Sequence, residues 1–409
     1  MKVEITQAQP EMQLATDVLD QKGRILARKG MLLSQELITR LQHWEIEYVE
    51  VGAADEGACV TEEHILAGEK YLQPIFESTN LHFPANKTLY HIYLNTITQK
   101  IALGWEPTDI DSNYDLGSVR DDIFLKGEGN LESLIEHEVQ MSSFSSIYFR
   151  IKHVLDSPLS SAQKVAEVIS KDTTLTAKLL RLVNSPFYGL TSRIDSIQRA
   201  VSVIGTNELT TLALGISAIK TFATIPGDLA NMKTFWFHSI ACGVLTSQLA
   251  ETCSGTKELK PETAFVGGIL HEIGRLIMFK NLPQASIEAI LFSRSNRIPI
   301  NEAEQLIFGY DHAMIASSLL KKWHLPETLA EALHFQYAPD SSPFPEFSSM
   351  LNLANAMAMV IGYPSSGVAI MPTLSEKGWA ILNLDPAVLE EMAVSAPKRV
   401  QEIADIFLN

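Results

Sequence analysis

The sequence predicts a mainly α-helical protein with an all-helical main body and a small α/β module at its N-terminus. Three observations carry that prediction. Apolar residues recur at three- and four-residue steps from about residue 136 onward, strand-like stretches are confined to residues 1–52, and residues that start or stop helices flank the periodic segments.

Within residues 1–52, VEITQAQ, RILARKG and EYVEVG have the β-rich texture of short strands, residues 20–23 and 29–30 supply turn chemistry, and SQELITRLQHWEI reads as one amphipathic helix. Ser34 should begin that helix, because a hydroxyl there accepts a hydrogen bond from an otherwise unsatisfied first-turn N–H. Residues 53–135 are expected to form a partly helical connector. It opens with the small acidic stretch AADEGA, turns helical around 61–77 and 88–101, and loses periodicity in WEPTDIDSNYDLGSVRDD. That last segment is read as a mobile loop, with partner binding as its alternative.

Residues 136–409 should then fold as one all-helical domain. The periodic segments are 162–170, 174–184, 208–221, 235–251, 262–279, 285–293, 302–322, 327–334, 347–361 and 386–406. Pro186 cannot continue a helix and Gly189 tolerates positive φ, so 184–189 should be a turn in which Asn184 caps the preceding helix and Phe187 fills core. Trp236 and Trp323 are read as core aromatics. The chain shows no internal repeat and no low-complexity tract.

Composition narrows the function classes. Of 409 residues 46% are hydrophobic and 20% charged, enough for two or three domains with a sizeable core. Lys and Arg total 32 against 48 Asp and Glu, a net charge of -16 that repels phosphate backbones and argues against nucleic-acid binding. Cys59, Cys242 and Cys253 are odd in number and lack C-x-x-C spacing, as expected for reduced core thiols in a cytosolic protein. The segment MKVEITQAQPEMQL has no apolar signal core, and no run reaches the roughly 18 apolar residues of a membrane span, so a cytoplasmic location is expected.

Three stretches resemble a known family. VAEVISKDTTLTAKLLRLVNSPFYGLTSRIDSIQRAVSVIGTNEL, residues 165–209, looks like the first part of an HDOD domain. FWFHSIACGVLTSQLAE followed by AFVGGILHEIGRLIM resembles the core of the HD phosphohydrolase superfamily, with His238 on one helix and His271-Glu272 on the next. NEAEQLIFGYDHAMIASSLLKKWHLPETLAEALHFQYAP is similar to the closing pattern, through Glu304, Gly309, His312, Trp323, Pro326 and His334. The N-terminal DVLDQKGRILARKGMLLSQELITRLQHWEIEYVEV also resembles the small module that precedes cyclic-di-GMP-type HD domains.

The resemblance implies roles in bacterial signal transduction and a set of metal candidates: His238, His271, Glu272, His312, His334 and Asn355. In an active HD site such ligands hold divalent ions, here Fe, Mn or Mg, which acidify a bound water and polarise a phosphoryl oxygen. Two positions depart from the pattern. Glu272 stands where the family has Asp, one methylene shorter, and Asn355 replaces the final anionic Asp with a neutral amide. Arg275 matches the Lys that often follows the HD pair and is the candidate phosphate-binding cation. Gly362-Tyr363-Pro364 is read as a coincidental tripeptide, since it follows Asn355.

Two readings follow. In the first, the chain is a regulatory or scaffold protein whose degenerate pocket binds a partner signalling protein or a nucleotide-type ligand, without a resident cofactor. In the second, it is a metal-dependent phosphohydrolase acting on a nucleotide or cyclic dinucleotide. Asn355 favours the first. In either case His238, His271 and His334 are expected to converge in one polar pocket, because helices burying unpaired imidazoles would lose stability. The other histidines, His43, His64, His82, His91, His137, His153 and His324, are read as solvated or structural.

Overall fold

The computed structural model describes residues 2–9, 12–19, 25–27, 31, 33–44, 46–52, 60–107, 129–141, 150–151, 153–154, 157, 161–190, 192–221, 231–253 and 259–408. The predicted turns at 20–23 and 29–30, the acidic 53–59 with Cys59, and most of the aperiodic 105–122 lie outside them. The chain divides into two units, residues 1–74 with 93–109 and residues 75–92 with 110–409. It is mainly α-helical, and the named strands among the described residues all fall between Lys2 and Gly52.

In the first unit β1 (Lys2–Glu4), β2 (Gln13–Leu14) and β5 (Tyr48–Gly52) form an antiparallel sheet in the order β1-β5-β2, with Val3 opposite Val49. A second ladder pairs β3 (Val18–Leu19) with β4 (Ile25–Ala27). Between β4 and β5 runs α1 (Gln35–His43), begun as expected by Ser34, whose Oγ accepts from the Leu37 N–H at 3.1 Å. Leu37, Ile38 and Leu41 are buried in one cluster with Val3, Leu14 and Val51, the apolar side that makes this module fold. The helix α2 (Glu62–Leu72) follows, then α3 (Pro84–Ala102), within which the division between units falls.

The second unit is helical: α4 (Leu131–Met141), α5 (Ala162–Ser170), α6 (Thr173–Val183), α7 (Ile197–Ile204), α8 (Thr206–Thr221), α9 (Met232–Thr252), α10 (Pro261–Leu270), α11 (Ile273–Asn281), α12 (Pro283–Asn296), α13 (Ile300–Phe308), α14 (His312–Lys322), α15 (Glu327–His334), α16 (Pro345–Val360), α17 (Glu376–Leu382) and α18 (Ala387–Phe407). Two periodic runs prove to be pairs of helices. Residues 262–279 break at His271-Glu272, and 302–322 break where Gly309 takes φ 79° and Asp311 caps the next helix through the Met314 N–H. The short α7 and α17 were not foreseen, since a single amphipathic turn or two gives little periodicity; each is started by a serine, Ser196 or Ser375.

The axis of this unit is α9, buried along nearly its whole length from Phe235 to Ala250 and packed against α10, α16 and α18. Its crossing with α10 is a backbone-to-backbone approach. A Cβ on Gly268 would lie 2.5 Å from the Cys242 carbonyl, and one on Gly243 would lie 2.8 Å from the Phe265 oxygen. Glycine at both positions therefore sets how near the two histidine-bearing segments come.

The turn after α6 forms with Asn184 as its cap, as expected, whereas Phe187 is half-buried and not part of the fully buried core. Asn184 Nδ2 donates to the oxygens of Leu180 and Ile194, and its Oδ1 accepts from the Ile194 N–H, each at 2.7 Å. Phe187 tilts onto Phe265 with ring centroids 5.2 Å apart, and Trp236 and Trp323 are buried.

Candidate functional site

Four of the predicted residues come together at the junction of α9, α10, α11 and α14. His238 projects from α9, His271 and Glu272 form the break between α10 and α11, and His312 opens α14. The His238 and His271 rings lie 5.2 Å apart, and His238 Nε2 is 3.9 Å from Glu272 Oε2. The close pass of Gly274 under the His312 backbone, where a Cβ would meet the His312 oxygen at 2.0 Å, holds α11 and α14 in register. All four side chains are inaccessible to solvent, with His271 and His312 at 0% exposure.

Each imidazole is oriented by a partner on one nitrogen. His238 Nδ1 lies 2.7 Å from the Tyr363 carbonyl, and His271 Nδ1 lies 2.7 Å from the Gly268 carbonyl. A carbonyl only accepts, so in both rings Nδ1 carries the proton and Nε2 holds the lone pair. Burial pulls both histidines below the usual imidazole range, His271 to about 3 despite the opposing pull of Glu272, so both are neutral. Among the described residues the buried His271 Nε2 has no hydrogen-bond partner.

The carboxylate is spoken for. Burial would push the Glu272 pKa up, but the positive charge around it, that of Arg275 foremost, outweighs this and holds the group well below the carboxylate range. Arg275 Nη1 lies 3.3 Å from Glu272 Oε2 and donates at 2.6 Å to Ser365 Oγ, while Nη2 donates to the Ser366 oxygen at 2.8 Å. Ser365 in turn donates to Glu272 Oε2. Arg275 is 1% exposed, its Nε is 3.9 Å from Glu304 and its guanidinium rests over Phe279. The phosphate-binding candidate is thus among the largest fully buried side chains described.

His312 is paired on both sides. Its Nδ1 is 2.5 Å from Glu304 Oε2, which also accepts from the His312 N–H, and its Nε2 is 2.9 Å from the Tyr337 hydroxyl. Burial would lower this histidine, but Glu304 raises it above the usual value. Asn355, on α16, donates to the same Tyr337 hydroxyl at 3.4 Å. His334 behaves differently: it ends α15 half-buried with its ring edge-on to Phe335, and among the described residues no hydrogen bond or ion pair ties it to the cluster. The side chains from that stretch that reach the cluster are Gln336, donating to the His271 carbonyl at 3.0 Å, and Tyr337.

Sequence reasoning passed over five contributors. Gln336 and Tyr337 lie two and three residues past His334. Ser365 and the Tyr363 carbonyl come from the segment after α16, so the Gly362-Tyr363-Pro364 tripeptide read as coincidental borders the cluster after all. The fifth is Cys242, one helical turn beyond His238. Its Sγ lies 3.5 Å from His238 Nε2 and 3.7 Å from the Ala354 carbonyl, and burial raises its thiol well above the usual value. The i,i+4 spacing of His238 and Cys242 on α9 was the available signal.

These partners bear on the metal centre that an active HD site would hold. Such a site needs anionic oxygens and open lone pairs facing the ions. Here Glu272 is held by Arg275 and Ser365, His312 by Glu304 and Tyr337, and Asn355 carries no charge, so the residues present do not fit a pair of hard cations. What is assembled is a group of three soft or borderline donors, His238, Cys242 and His271, whose ligand atoms lie within 4.8 Å of one another.

Comparison with known proteins agrees with this architecture. Residues 141–339 match the HDOD domain family. A 193-residue stretch, 47% of this chain, is 24% identical to an uncharacterised protein of Treponema pallidum (strain Nichols), of whose length it spans 37%. Among solved structures, an HDOD domain protein of unknown function from Geobacter sulfurreducens superposes with a TM-score of 0.54 at 20% identity, covering 70% of this chain and 100% of that one. A phosphohydrolase candidate from Shewanella amazonensis SB2B gives 0.51 at 24% identity, covering 67% and 98%. A signal-transduction candidate from Marinobacter aquaeolei VT8 gives 0.54 at 19% identity, covering 76% and 73%. At these identities the structures show the fold alone, and the family match marks residues 141–339 as an HDOD domain.

Proposed function

We propose that this chain is a regulatory protein of bacterial cytoplasmic signal transduction, in which the HD-type cluster has become a structural core and a partner protein or nucleotide-type ligand is bound without being hydrolysed. One observation carries the reading: Glu272, the acid an HD hydrolase would need at its metals, is neutralised by the buried Arg275 and bonded by Ser365. A buried carboxylate with that many donors neither binds a second cation nor takes up a proton readily. Asn355 supports the same reading by removing the final charge. A resident Fe, Mn or Mg ion has correspondingly little to bind to. The layout expected from the sequence, an N-terminal α/β module at 1–52, a connector at 53–135 and an HDOD domain at 136–409, would suit a sensor joined to an output domain.

The test is release of product from cyclic di-GMP and from simple phosphomonoesters and diesters with Mn²⁺, Fe²⁺ or Mg²⁺ supplied. The wild type should show no turnover, and Asn355→Asp with Glu272→Asp is the variant in which activity would reappear if a hydrolase ancestor lies behind the fold. Turnover by the wild type near the roughly 1–10³ s⁻¹ usual for enzymes, abolished by His271→Ala, would overturn the regulatory reading.

A further inference from the structure

Where the oxygen-rich centre is missing, a different one is assembled. We propose that His238, Cys242 and His271 form a buried mononuclear site for zinc, a centre that departs from the ligand set the family resemblance implies because its third donor is a thiol from α9 itself.

The first support is the direction of the lone pairs. Metal-ligating histidines usually donate their other ring N–H to a carbonyl or carboxylate, which fixes tautomer and orientation. Both histidines do this here, His238 to Tyr363 and His271 to Gly268, which leaves both Nε2 atoms as ligand positions. The second support is the orphan: His271 Nε2 is fully buried and without a hydrogen-bond partner among the described residues, an arrangement that is unfavourable unless something occupies the lone pair.

The third is the spacing. Zn–N bonds of about 2.0 Å and a Zn–S bond of about 2.3 Å at a tetrahedral angle put nitrogen and sulfur about 3.5 Å apart. His238 Nε2 and Cys242 Sγ are 3.5 Å apart, and all three donor atoms lie within 4.8 Å of one another. His238 and Cys242, four residues apart on one helix face, make a rigid two-point clamp of the kind other helical zinc sites use. On binding, the Sγ–H bond breaks, the proton leaves to buffer and the thiolate pair forms the Zn–S bond. The thiolate itself cancels one of the two charges that the ion brings. A thiolate and two imidazoles favour zinc over Mg²⁺ or Mn²⁺.

This inference stands apart from the regulatory reading: zinc without turnover leaves both intact, turnover with a thiol-bound zinc removes the regulatory reading alone, and the lack of both turnover and a thiol-bound metal removes the site alone. The experiment uses the full chain, stripped with chelator and titrated with Zn²⁺ and with Co²⁺ as an optical probe. The expected result is one equivalent bound, a thiolate-to-cobalt charge-transfer band in the near ultraviolet, and an unfolding temperature raised by Zn²⁺ but not by Mg²⁺. Cys242→Ser and Cys242→Ala should lose the band and bind at least about 10–100-fold more weakly, whereas Cys253→Ser should match the wild type. Absence of the charge-transfer band in the wild type overturns the site regardless of how the variants fold, and so does full retention of the band in a folded Cys242→Ala.

Discussion

Arg275 and Glu272 stand three residues apart at the start of α11, with Nη1 3.3 Å from Oε2 and neither side chain more than 2% exposed. Each is the other's charge compensation inside the core. Removing one partner of such a pair strands the other, which is far more costly than removing both.

Arg275→Met should therefore destabilise the protein by about 3–5 kcal/mol, and adding Glu272→Gln should recover part of that loss. Urea unfolding followed by circular dichroism checks both. If Arg275→Met unfolds at the wild-type midpoint, the guanidinium is not part of the core and its assignment as a phosphate ligand returns.

The His312–Glu304 contact sets a pH dependence. Burial lowers the His312 pKa, but Glu304 more than reverses this, so the folded value exceeds the unfolded 6.5. The native state then holds this proton where the unfolded chain has released it, so the contribution is complete below 6.5 and is lost as pH rises through the folded value. His312→Gln should flatten the decline of stability on the alkaline side of 6.5, measured by urea midpoints across a pH series. A slope identical in wild type and variant would rule out the raised value.

Tyr337 joins His312 and Asn355 through one hydroxyl. Tyr337→Phe keeps the ring but leaves His312 Nε2 without a partner in the core, at a cost of about 1–3 kcal/mol. Thermal unfolding of the purified variant is the measurement, and a change below about 0.5 kcal/mol would mean that the hydroxyl contributes nothing to the cluster.

At the α9–α10 crossing, Gly268→Ala would place a methyl 2.5 Å from the Cys242 backbone. Backbone cannot move aside as a flexible side chain does, so the helices must separate, costing about 1–3 kcal/mol or more. The same variant should weaken zinc binding, since it moves His271 away from His238 and Cys242. A variant as stable as the wild type with unchanged zinc affinity would show that the crossing is looser than the backbone distance indicates.

Local signals in the chain determined much of this protein. The period of apolar residues located α5 and α15 to the residue and most of the longer helices to within a few, because a helix face must match its neighbour over several turns. Ser34 and Asn184 were readable as caps because their side chains bond to backbone only a few residues away in α1 and α6. The order of His238, His271-Glu272 and His312 was legible for the same reason that it marks a family: each sits at a set place on a recognisable helix. What surrounds those side chains was decided by tertiary structure. Arg275 is consumed by Ser365 and Ser366, about ninety residues away, and Tyr363, 125 residues from His238, supplies the carbonyl that fixes its tautomer. Tyr337, not His334, reaches His312, since past the end of α15 a shift of three residues changes which side chain faces inward. A hydrogen bond spans about 3 Å, so whether a donor is free to bind or already bonded depends on which distant segments the packing of α9, α10, α11, α14 and α16 brings within that reach.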